Sequence, residues 1–379
     1  MALLEYFNLD LTLIIQSYAG EMLDIPPKLS CCYEGDTLPK TKMPNLKYLV
    51  WKSESLEELS YYDNIVSLDL SSSRRSDISI LAELKLLTSL DLSRFDGDLS
   101  PLSGLDRLTS LGLYFFRGNI SPLSELKSLS HLNLDRFNGD ISPLAELKSL
   151  TTLVLSWFAG DDILPLSELR SLTHLELTNF GEYDGGNDIS PLSELRSLIH
   201  LNLSSFGGDI SPLSNLKSLT YLNLHNFNGN ISTLSELKSL TFLDLYEFNG
   251  STERDISPLS NLTNLTSLNL TSFKGSAKGD ISPLSNLTNL TSLNLSSFNR
   301  NITSLSNLTN LESLNLNSCK RYLLPLAKLI SLTELDLDSF NGSADRDISF
   351  LSNLTSLTSL KISSFKGDKS ILKHLKCSF

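Results

Sequence analysis

Leu132-Asn133-Leu134-Asp135-Arg136-Phe137, followed by Asn138-Gly139-Asp140-Ile141-Ser142-Pro143-Leu144, is the stretch that decides the fold. It runs LxLxxF, then a tight turn, then ISPL, and the same order returns along most of the 379 residues. The LxL pairs begin at Leu68, Leu90, Leu111, Leu132, Leu153, Leu175, Leu201, Leu222, Leu243, Leu268, Leu293, Leu314, Leu335 and Leu360. Most steps are 21 residues, and a weaker copy starts at Leu49. A fixed period of this length marks a stacked array, and about fourteen repeats exceed the roughly three that such a stack needs.

Each part of the repeat has a physical reading. LxL is a short strand with both leucines turned inward and their neighbours outward. Strands of successive repeats pair in parallel. A Gly/Asn/Asp turn follows, as in Asn228-Gly229-Asn230. Ser-Pro then opens a short helical or 3₁₀ turn, Ser as cap and Pro at the first helical position, as in Ser121-Pro122 and Ser211-Pro212. Leu123, Leu126 and Leu129 bring that turn back to the core. No repeat buries its apolar face alone, so neighbours supply the core.

The run Leu219-Thr220-Tyr221-Leu222-Asn223-Leu224 resembles the leucine-rich repeat family, and the resemblance covers about residues 46–365. The stretch ISPLSNLTNLTSLNL at 281–295 is similar to the repeats of bacterial internalins. The resemblance implies an α/β solenoid, with parallel strands on the concave face and short helical or 3₁₀ turns on the convex face. One position departs from the family. Its usual Asn, three residues after the second strand leucine, is replaced by Phe95, Phe116, Phe137, Phe158, Phe180, Phe206, Phe227, Phe248, Phe273, Phe298, Phe340 and Phe365, with Cys319 the exception. Twelve of the chain's 17 phenylalanines thus share one phase, which predicts an internal ring ladder able to pack edge-to-face. The turn is then expected to find its hydrogen bonds in the following Asn, Gly and Asp residues.

Residues 1–45 stand outside the repeat. Leu3, Phe7, Leu11, Ile14, Tyr18 and Met22 recur at helical spacing, predicting a helical N-terminal cap. The alternative there is a degenerate F-box recruiting a ubiquitin ligase, because Leu11–Tyr18 is faintly similar to that module. Residues 366–379 are expected to cap the far end. Four inserts, Gly181–Asp188, Asn249–Asp255, Lys274–Asp280 and Asn341–Asp347, are expected along one rim.

The net charge of −12 argues against a nucleic-acid partner. There is no apolar run of transmembrane length and no basic leader, so no membrane association and an intracellular, cytoplasmic location are expected. Four unpaired-looking cysteines, Cys31, Cys32, Cys319 and Cys377, fit a reduced compartment, with Cys319 buried. No nucleophile elbow, phosphate loop or zinc-ligand spacing is present, so the expectation is no enzyme, no cofactor and no metal.

What remains is a monomeric interaction module with a protein partner. Most strand-face positions are small. Tyr114, Phe115 and Trp157 form one aromatic group, and Tyr221, His225, Phe242 and Tyr246, with Glu247, form another. Aromatic side chains are enriched among binding hot spots, which makes these seven the candidate anchors. His131, His174 and His200 share the face and read as solvated surface histidines, although His174 and His200 are placed to meet beside Glu176. The readings left open are a plain scaffold, an F-box-like substrate adaptor and an internalin-type effector.

Overall fold

The computed structural model describes residues 32–35, 46–53, 55–71, 77–160, 162–180, 188–248, 255–273, 281–298, 300–319, 323–339, 348–363 and 365. The expected N-terminal helices with their F-box alternative, the C-terminal cap, Phe340, Cys31, Cys377 and the bodies of the four inserts lie outside the described residues. The chain divides after Leu132 into two compact blocks.

In the first block β1 (Cys32–Gly35), β2 (Tyr48–Trp51), β3 (Ser67–Asp69), β4 (Ser89–Asp91) and β5 (Ser110–Gly112) pair in parallel and in chain order. Strand pairing therefore begins before the expected boundary at residue 46. The weak copy at Leu49 is a full member, in register with Leu68, and its buried Trp51 fills the place of a second strand leucine.

The strand β6 (His131–Asn133) spans the division. The second block continues with β7 (Thr152–Val154), β8 (His174–Glu176), β9 (His200–Asn202), β10 (Tyr221–Asn223), β11 (Phe242–Asp244), β12 (Ser267–Asn269), β13 (Ser292–Asn294), β14 (Ser313–Asn315), β15 (Glu334–Asp336) and β16 (Ser359–Lys361). Its register sets leucine on leucine, from Leu153 and Leu175 through to Leu335 and Leu360. Opposite the strands run 3₁₀ turns such as Ser211–Asn215 and Ser257–Asn261. The architecture is an α/β solenoid, as expected.

The two strand leucines of each repeat are almost fully buried, and so are Phe95 to Phe298, Cys319 and Phe365 at the phase marked in the sequence. The rings do not pack edge-to-face. Phe248, Phe273 and Phe298 lie 6.2 Å apart, centre to centre, with planes within 23° of parallel. Repeats superposed by translation present rings in one orientation, so an offset parallel stack is the only arrangement each neighbour can share. The ring edge also explains a glycine: a Cβ on Gly229 would collide with Cζ of Phe227.

The turn after each strand finds its hydrogen bonds in a different place from the one expected. Where the residue between the two strand leucines is Asn or Asp, its side chain is the acceptor; Gly112 and Val154 hold that place in β5 and β7. Asn223 Oδ1 accepts the His225 N–H at 2.9 Å, and Asp244 Oδ1 accepts the Tyr246 N–H at 2.8 Å. The spine Phe N–H then returns to the second leucine, as from Phe248 to the Leu245 carbonyl at 3.1 Å. The residue before the spine position is left-handed, from Arg94 at φ 65° to Ser339 at φ 56°. The N–H of that residue crosses to the next repeat: Glu247 donates to the Thr271 carbonyl at 2.9 Å.

A second correction concerns the 3₁₀ turns. Their serines do not act as the caps. An Asp or Asn two residues earlier accepts the Ser N–H and often its hydroxyl, as Asp140 does for Ser142 at 2.8 and 2.7 Å. Asn119 and Asn230 do the same for Ser121 and Ser232. Because these side chains are short, they reach their own backbone two residues on.

Three outcomes follow from this packing. Phe273→Ala opens a cavity between two rings and lowers the unfolding free energy by about 3–5 kcal/mol, read by denaturant melts. Ser297→Gly relieves a left-handed backbone, φ 66°, and raises stability by about 0.5–1 kcal/mol. The third outcome depends on pH. The Ser142 hydroxyl and N–H hold the Asp140 carboxyl below its ordinary pKa, so its contribution is complete above the usual carboxylate range and is lost as pH falls through the lowered value. Asp140→Asn, which keeps the acceptor, flattens that part of the acid-stability profile, whereas Asp140→Ala lowers the melting temperature even at neutral pH.

Candidate functional site

The first position of successive strands carries His174, His200, Tyr221 and Phe242, in mutual register on β8 to β11. Their rings form one stack. The centres of His174 and His200 are 5.6 Å apart, those of His200 and Tyr221 3.9 Å, and those of Tyr221 and Phe242 4.3 Å. Parallel strands space equivalent side chains at about 4.8 Å, near the contact distance of aromatic faces, so consecutive planar residues in one column stack with little rearrangement.

The histidines are not simple solvated side chains. His200 is 4% exposed, and its Nε2 lies 2.8 Å from Oε1 of Glu176, the imidazole N–H donating to the carboxylate. Thr173 Oγ1 is 2.9 Å from Nδ1 of His174. In the first block, burial pushes the His131 imidazole below its ordinary pKa. Among the described residues no group of three or more His, Cys, Asp or Glu side chains is placed to hold a metal ion.

A second column, just past the strands, sets His225 against Tyr246 with centres 4.4 Å apart and planes at 39°. The turn acceptors Asn223 and Asp244 fix the backbone under these two side chains. The Tyr246 hydroxyl bonds to the Glu247 carboxylate, which raises the phenol pKa. Both columns stop at β11. The next residues in register are Ser267 in the first and, in the second, Thr271.

The other three candidates sit differently. Tyr114 is half-buried and tilted against Phe115, with centres 6.0 Å apart. Phe115 and Trp157 occupy the left-handed turn position, and are 37% and 39% exposed. Each is covered by an arginine: Arg117 lies 4.6 Å from the Phe115 ring centre, and Arg136 lies 5.3 Å from that of Trp157. Reading the sequence for aromatic columns passed over these arginines. Their signal was a cation one repeat, or two residues, from an exposed ring. The structure thus gathers Tyr221, His225, Phe242 and Tyr246 into adjoining stacks with His174 and His200. It pairs Phe115 and Trp157 with cations of their own.

No protein-family model and no curated protein matches the sequence. Solved structures do match. Internalin F of Listeria monocytogenes is 30% identical, with 81% of this chain and 89% of that chain covered at a TM-score of 0.66. A leucine-rich repeat protein of Leptospira interrogans shares the fold at 19% identity, with 87% and 88% covered and a TM-score of 0.67. A plant peptide hormone receptor, determined in complex with RGF2, aligns at 18% identity over 84% of this chain and 55% of its own, with a TM-score of 0.57. With leucine set on leucine from strand to strand and a likeness that spans most of both chains, the protein belongs to the leucine-rich repeat family.

Proposed function

We propose that this chain is a non-catalytic protein–protein interaction module that grips a protein partner on the concave face of its repeats. The observation that supports it most is the run of stacked rings His174, His200, Tyr221 and Phe242, with His225 and Tyr246 beside it. The face positions of the next three strands, β12 to β14, are Ser and Asn. Rings held in a stack lose little further freedom when a partner seats on them, and desolvated aromatics dominate interface energetics. Tyr114, Phe115 and Trp157 belong to the proposed surface as secondary contacts, since intramolecular arginines already occupy two of those rings.

The remaining assignments belong to the same proposal. The buried phenylalanine column takes the role that the family's asparagine column plays in closing the turn region. Residues 1–45 and 366–379 cover the two ends of the array. The protein works as a cytoplasmic monomer, with a protein and not a nucleic acid as partner. An internalin-type effector is the second reading, supported by the 30% identity with internalin F.

The test uses residues the fold already accepts. Serine stands in register with Phe242 at Ser267, and again at Ser292, so the double variant Tyr221→Ser, Phe242→Ser is expected to keep its melting temperature. Against a partner captured by the wild-type chain and then purified, its dissociation constant should rise at least about tenfold. An unchanged constant removes the ring stack as the anchor. A partner found only on cells other than the producing ones would favour the effector reading.

A further inference from the structure

Where an exposed ring on this surface has an arginine within reach, the arginine lies over it: Arg117 over Phe115 and Arg136 over Trp157. Phe242 and Tyr246 differ. Phe242 closes a stack, with one face against Tyr221, and Tyr246 closes a tilted pair with His225. Their other faces look along the array toward Ser267 and Thr271, and then toward Ser292 and Ser296. The result is a step, with two aromatic faces as its riser and small hydroxyl side chains as its floor.

Among the described residues the charge at this step is of one sign. Asp244 lies between the two aromatics on β11, and its carboxylate also accepts from Asn269 Nδ2 at 3.1 Å. Glu247 is bonded to the Tyr246 hydroxyl. The face positions on β12, β13 and the turns after them are Ser267, Asn269, Thr271, Ser272, Ser292, Asn294, Ser296 and Ser297, with no lysine or arginine among them. The whole chain carries −12, which draws a cationic partner toward it.

We infer that the step formed by Phe242 and Tyr246 seats arginine side chains of an extended, basic segment of the partner protein, each guanidinium stacked on one ring beside Asp244 or Glu247. The inference rests on the proposed strand-face function and names the chemistry of its partner. A guanidinium matches both halves of the step: its plane stacks on a ring, and its N–H groups donate to carboxylates. Four residues of extended chain separate the two rings, roughly 13 Å by strand rise. An extended segment with arginines four residues apart has the same reach.

The probe is the capped peptide Gly-Arg-Gly-Ser-Gly-Arg-Gly with a fluorescent label, titrated at low salt and followed by anisotropy. Its counterparts carry citrulline, which keeps the shape and loses the charge, or phenylalanine at both arginine positions. The protein variant is Phe242→Ser with Tyr246→Thr, the residues that follow in each column, and it leaves the net charge unchanged. Expected are saturable binding of the arginine peptide to the wild-type chain, about tenfold weaker binding by the variant and of the citrulline peptide, and further loss on adding salt. Absence of saturable binding, equal binding of citrulline, tighter binding of phenylalanine, or an unaffected variant each overturns the inference. If the arginine peptide fails while Tyr221→Ser, Phe242→Ser still loses the captured partner, the arginine assignment falls and the strand-face function stands.

Discussion

The repeat depends on one closure: in most of the described repeats the N–H of the spine position returns to the second strand leucine, with the preceding residue left-handed. That conformation costs on the order of 1–2 kcal/mol for a residue with a side chain. Among the described residues it is held at twelve non-glycine positions, from Arg94 to Ser339. Three things offset the strain. An Asn or Asp inside most strands pins the turn, the left-handed N–H bonds to the next repeat, and the spine side chain that follows, an aromatic ring in all but one described repeat, is driven into the core. None of these suffices alone, because a single repeat has no neighbour to bond to and no stack to join.

The same closure explains the surface. A residue locked left-handed projects outward whatever its identity, so this position tolerates Arg, Trp, Glu, Asn and Ser alike. Phe115 and Trp157 stand there, and arginines lie over them. The strand positions, by contrast, repeat at the spacing of the sheet. Planar side chains placed there in succession must stack, and a stack that ends leaves an open ring face. Core regularity thus turns a run of substitutions into a shaped surface with defined ends at β11.

Electrostatics follow the same logic at two depths. Capping carboxylates such as Asp140 and Asp209 are exposed and bonded by serine, which lowers their pKa. Asp91, half-buried at the strand face near Asp69, is pushed up, with loss of solvent as the larger cause. Identical chemistry therefore serves as a cap at one phase and carries a desolvation cost at another. Asn replaces Asp at the same strand position in β9, β10, β12, β13 and β14, which keeps the acceptor without the charge.

By itself the sequence determined the period, the strand leucines, the buried phenylalanine phase and the positions where aromatic residues interrupt a small-residue face. These depend on spacing alone, and spacing survives in a linear text. The tertiary structure decided what depends on which atoms meet: parallel rings instead of crossed ones, asparagine and aspartate as caps instead of serine, His200 buried against Glu176, and arginines laid over Phe115 and Trp157. A side chain in one repeat finds its partner some twenty residues away in the next. Only the translation that stacks the repeats brings such pairs into contact, and among the described residues that same translation sets small side chains, not rings, next in register after Phe242 and Tyr246.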